Sequence, residues 1–113
     1  MRVGSILLLS LALAAGASPA WAKPVHACAA DAVKQADRLL KFHMKDDDRA
    51  TVDPASVKPV GTVAALAGKG RFDVLEVTGS VYKTDYRMHL IYAQIPGDCV
   101  LMGEEILERS DPY

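Results

Sequence analysis

Between Val25 and Lys45 the apolar residues recur with the period of a helix. Phe42, Cys28, Leu39, Ala32, His43, Ala36, Ala29, Leu40 and Val33 fall on one continuous arc, while Asp31, Arg38, Lys45, Lys34 and Lys41 fall opposite, with Asp37 at the border. This predicts an amphipathic helix that turns Cys28 inward and carries its basic stripe as an ordinary solvated surface. Asp46-Asp47-Asp48 ends the pattern, because negative charge opposes the dipole at a helix C-terminus. Residues Arg49 to Pro59 then read as a connection, since Asp53-Pro54 and Lys58-Pro59 disfavour both helix and central strand. The acidic residues here lack the alternating ligands and glycine turn of an EF-hand loop, so no calcium site is expected.

Beyond that point the apolar period drops to two. Val60 to Leu66 reads as a first short strand and Ala67-Gly68-Lys69-Gly70 as a turn; Arg71–Tyr82, Tyr86–Ile95 and Cys99–Leu107 read as three longer strands. A hairpin loop at Thr84-Asp85, or from Lys83 to Tyr86, pairs Tyr82 with Arg87, Gly79 with Leu90 and Val77 with Tyr92, which gathers the most apolar residues on one face. Pro96-Gly97 suits the centre of a type II turn, pairing Ile95 with Asp98, Tyr92 with Leu101 and Leu90 with Gly103. Gly79 and Gly103 then share the inner face, where they leave room for the helix, and Cys99 points the same way as Leu101. The expected fold is α+β: one N-terminal amphipathic helix packed on a three- to four-stranded antiparallel meander sheet.

A single helix covers one face of a sheet only. The opposite face holds Phe72, Val74, Glu76, Thr78, Ser80 and Tyr82 on one strand and Arg87, His89, Ile91, Ala93 and Ile95 on the next. Phe72, Val74, Ile91 and Ile95 gather toward one end, and together with His89 they form a candidate interaction face.

Ahead of the helix lies the pattern of an export signal: a charged start at Arg2, an apolar run from Ile6 to Ala15 and a small-residue site at Ala20-Trp21-Ala22. Cleavage after Ala22 is expected to leave residues 23–113 as one small periplasmic domain. The apolar run is shorter than the roughly 20 residues that span a bilayer, and no second run follows, so no integral membrane segment is expected after cleavage. Val25-His26-Ala27 before Cys28 imitates a lipobox only loosely; histidine fits it poorly, and Lys23-Pro24 separates the cysteine from the apolar run. Loss of Arg2 leaves 12 basic residues against 14 acidic ones, a balance with no field to draw nucleic acid or anionic lipid.

The address decides how the only two cysteines are read. In an oxidising compartment Cys28 and Cys99 are expected to form a disulfide, and closing so long a loop restricts the unfolded chain by roughly 4 kcal/mol. A redox dithiol usually spaces its cysteines two apart, and a metal would have to recruit His26 and His89 without a ligand motif.

Candidate chemistry is sparse. Ser56, Ser80 and Ser110 lie outside any nucleophile-elbow context, and His43 falls in the apolar arc as a core histidine. His89 is placed beside Ser80 on the open face, which supports as an alternative a small envelope hydrolase or ligand-binding enzyme, although such a pair is ordinarily a cross-strand contact. Glu104 and Glu105 face opposite sides of their strand and cannot act as a glycosidase pair; with Glu108 they suit a solvated edge. Met88 and Met102 also fall on opposite faces, which disfavours copper. With no phosphate loop, ligand cluster or repeat, no cofactor is implied.

At Arg71-Phe72-Asp73-Val74-Leu75-Glu76-Val77, and again from Cys99 to Glu108, the chain resembles small uncharacterised exported (periplasmic) proteins of proteobacteria. That resemblance implies an address and no activity, and it transfers no site residue. One helix followed by a meander is also similar in layout to cystatin-like binding folds. The leading expectation is a non-catalytic periplasmic protein that binds an envelope protein through the open face or an edge; a structural or self-assembling domain is a third possibility.

Overall fold

The computed structural model describes residues 26–109; the signal, its cleavage site and the Ser110–Tyr113 tail lie outside them. The domain is α+β, one helix packed on a five-stranded antiparallel sheet. In chain order the elements are α1 (Ala29–His43), β1 (Ala50–Val52), a 3-10 turn (Pro54–Ser56), β2 (Lys58–Ala64), β3 (Arg71–Val81), β4 (Thr84–Ala93) and β5 (Leu101–Glu108). Among the described residues no helix is long and apolar enough to cross a membrane.

α1 buries Ala29, Ala32, Ala36 and Leu40, a stripe at helical spacing whose small side chains let the helix axis lie close to the sheet. Opposite them stand Leu75, Val77 and Val81 of β3 and Tyr86, Met88, Leu90 and Tyr92 of β4, which complete the core. Gly79 is where the approach is tightest: an added Cβ would sit 2.8 Å from the Thr51 carbonyl oxygen and 3.0 Å from Leu40 Cδ2. The helix ends at Met44, whose N–H donates to the Leu40 carbonyl; Lys45 and Asp46 then take positive φ of 56° and 62° and reverse the chain. Phe42, at the limit of the apolar arc, has run past the sheet and is 82% exposed. His43 is exposed too, its ring edge-on to Tyr86 at 5.8 Å. Neither is the core residue the arc predicts, because the two lie on the last turn of the helix.

The sheet has more strands than expected. β1 pairs with the far end of β3 (Ala50 with Val81) and β2 with its near end (Lys58 with Glu76), so both flank the same edge of β3, and the order across the sheet is β1 or β2, then β3, β4 and β5. β1 lies within the predicted connection. Three residues are too few to display a period, and the strand exists because Ala50 is buried beneath the helix. Asp53 continues the pairing by donating its N–H to the Thr78 carbonyl, and its side chain caps the 3-10 turn at the Ala55 N–H. Pro59 is tolerated because β2 is an edge strand.

Two register corrections follow. The β3–β4 hairpin turns at Tyr82-Lys83, so Val81 pairs with Thr84, Val77 with Met88 and Leu75 with Leu90. Tyr82 takes φ 57°, a conformation that turn rules reserve for small residues, and its ring lies under Arg49 and Lys83 at 5.5 and 5.3 Å. The error in pairing is an even number of residues, so each side chain keeps its predicted face. On β4–β5 the turn at Pro96-Gly97 and the Tyr92–Leu101 pair stand as expected. A bulge at Met102 then sets Ile91 opposite Gly103 and His89 opposite Glu105. From Gly103 onward β5 is therefore turned over: Gly103 and Glu105 lie on the outer face, and Glu104 and Ile106 on the inner.

Candidate functional site

The disulfide joins Cys28, just before α1, to Cys99, with Cα atoms 5.6 Å apart. Cys28 is buried as the helix phase requires, whereas Cys99 precedes β5 and is exposed, so only one of the two belongs to the core. Around the bridge is a cleft of about 430 Å³ lined by His26, Asp73, Gln94, Ile95 and Pro96 among others. His26 Nε2 is 2.8 Å from Asp73 Oδ2, and Gln94 donates to Asp73 Oδ1 at 2.7 Å. These bonds hold the Asp73 carboxyl below the usual carboxylate range. A histidine oriented by an aspartate suggests a general base, but His26 Nδ1 already accepts the Cys28 N–H at 3.0 Å. With one nitrogen accepting and the other donating, the imidazole is a neutral brace and has no lone pair left for a substrate. Ile95, expected on the open face, lies past the end of β4 in this loop at 45% exposure.

On the outer face Phe72 and Val74 of β3 stand beside His89 and Ile91 of β4. Phe72 and Ile91 are half-buried, and Val74, between Gly61 of β2 and Ile91 of β4, is 7% exposed although no helix among the described residues covers it. Ser80 does not neighbour His89: it pairs with Asp85, four residues or about 13 Å along the strands. The residues that do meet His89 are Glu76, 3.1 Å from Nε2, and Glu105, 2.7 Å from Nδ1. Lys58 Nζ and Arg87 Nε each lie 3.7 Å from the Glu76 carboxylate, whose side chain is only 12% exposed. A row of charge thus crosses four strands, from Lys58 on β2 through Glu76 and His89 to Glu105 on β5.

A neutral imidazole has one N–H, so both carboxylates receive a hydrogen bond only from the imidazolium. In that state His89 cannot serve as a base, and a metal would find its two nitrogens aimed at different carboxylates. Among the described residues no group of three or more His, Cys, Asp or Glu is arranged to hold a metal ion. Clefts of about 260 and 430 Å³ lie between β1 and Arg109 and at the disulfide, and clefts of about 490 and 580 Å³ beside the C-terminal half of the helix; among the described residues, His89 lines none of these four.

Sequence reasoning placed His89 on this face but missed its partners. Glu105 needed the Met102 bulge, which alternation alone does not announce, and Lys58 needed β2 to begin before Pro59. Comparison of the chain with protein-family models, curated proteins and solved structures finds no match.

Proposed function

We propose that this is a non-catalytic periplasmic protein that binds a macromolecular partner through the outer face of its sheet. The observation that carries the proposal is the face itself: an apolar end at Phe72 and Ile91, which no other described element covers, adjoins a charged row in which both nitrogens of its one histidine are occupied. Small-molecule and catalytic sites are concave, and this surface is a sheet face. The signal pattern and the disulfide support an exported, oxidising address, in keeping with the resemblance to exported proteobacterial proteins. The test is capture from periplasmic extract by wild type and by Phe72→Asp and Ile91→Asp variants with intact disulfide and wild-type circular dichroism. A partner retained by wild type and lost by both variants is expected; equal retention by all three, or the absence of any partner including a second copy of the chain, refutes the proposal.

A further inference from the structure

We propose that the partner of the outer face is a second copy of this chain, packed sheet against sheet about a two-fold axis that runs along the strands between β3 and β4. The inference rests on the binding role proposed above and names its occupant. Such an axis keeps each cross-strand row at its own level and reverses the strand order, so that β2 of one copy lies over β5 of the other and β3 over β4. In the charged row, Lys58 then faces the second copy's Glu105, and Glu76 faces its His89. Lys58 and Glu105 carry the open ends of the row, with side chains 63% and 53% exposed.

One level away, Val74 meets the second copy's Ile91, while Gly61 lies over its Gly103. Two glycines at the flanks leave no side chain to hold the sheets apart where the apolar pair must touch. A level further on, Phe72 meets Ala93. The row is positive at one edge and negative at the other, and the apolar residues lie to one side of it. An in-plane two-fold across the strands would instead set the apolar rows against Arg87 and Thr78, so charge and apolarity together select the axis along the strands. Aligned sheets pack about 10 Å apart with strands crossing near 30°, so contact is closest at Val74–Ile91 and Glu76–His89, next to the axis. Four strands about 4.8 Å apart over seven residues give a footprint on the order of 450 Å² per copy. Stable complexes use about 800 Å² per partner, which sets a weak, concentration-dependent dimer.

Sedimentation velocity of the oxidised protein from micromolar to millimolar concentration tests this. The mass should rise from that of one chain to that of two. Gly103→Arg should stay monomeric throughout: this glycine lacks a positive φ, and a Cβ there meets Ile91 Cδ1 at an ordinary 3.6 Å, so the fold is kept while the interface is blocked. Lys58→Glu and Glu105→Lys should each weaken association about ten-fold. An equimolar mixture of these two variants should recover it, since every cross-copy pair is then of opposite sign. A wild type that stays monomeric, a dimer indifferent to Gly103→Arg, or a mixture that does not recover would overturn the proposal. If wild type is monomeric yet Phe72→Asp abolishes capture of another protein, only the second copy fails as occupant; if neither association is seen, the binding role fails with it.

Discussion

Tyr92 is fully buried near the end of β4, and its hydroxyl donates to Asp31 Oδ2 at 2.7 Å, so a core side chain carries a polar tether to the first turn of the helix. Burial, followed by the bond to the Asp31 carboxylate, pushes its pKa above the ordinary value of 10.0. A raised acid constant means that the folded state favours the neutral phenol. Its stabilisation is therefore complete below the unfolded value and is lost as pH rises above about 10. Tyr92→Phe should cost about 1–2 kcal/mol at neutral pH in urea titrations and should flatten the alkaline decline of stability relative to wild type. Asp73 behaves in the opposite sense. Its bonds from His26 and Gln94 lower its pKa, so they contribute stability above the usual carboxylate value of 3.8 that is lost as pH falls. Asp73→Asn should make thermal stability less sensitive to acid below about pH 4. Neither tether was legible from sequence, because each joins residues 47 or more positions apart through contacts that no local pattern encodes.

Elements were more legible than contacts. Phase on the helix and alternation on the strands are local properties, and they assigned Ala32, Ala36 and Leu40, Val77, Met88 and Tyr92 to one core correctly. Register is not local. The β3–β4 turn fell on Tyr82, a residue with no turn signature, and the β5 bulge moved Gly103 and Glu105 from their predicted faces. The two glycines now make a paired test of where the helix presses on the sheet. Gly79→Ala places a methyl 2.8 Å from a backbone oxygen and 3.0 Å from Leu40, which forces α1 and β1 outward. It should cost about 1–3 kcal/mol in chemical denaturation. Gly103→Ala, with its nearest neighbour at 3.6 Å on the open face, should be close to neutral in the same measurement. Equal effects at both positions would contradict the assignment of Gly103 to the outer face.

At the scale of the whole molecule, α1 is held at its two ends by different means. Its C-terminal half is packed, with Leu40 against Gly79 and His43 against Tyr86. Its N-terminal end depends on tethers: the Cys28–Cys99 bridge, the His26–Asp73 bond and the Asp31–Tyr92 bond. The bridge spans 71 positions, so its loss frees a large part of the unfolded chain, and Cys28→Ala with Cys99→Ala should lower stability by roughly 4 kcal/mol. The loss should not be spread evenly through the native state. Without the bridge, the helix start keeps only the polar bonds of His26 and Asp31 and the small side-chain contacts of Ala29 and Ala32, and partly solvated bonds of this kind contribute only about 1 kcal/mol each. Hydrogen exchange of the folded double variant should therefore show amides at Ala32 and Val33 losing protection by a larger factor than those at Leu39 and Leu40, which sit over the packed part of the sheet. The native protein should present no free thiol until it is denatured with reductant. Uniform loss of protection along α1 would show instead that the helix docks as one rigid unit, and that the disulfide acts only on the unfolded chain.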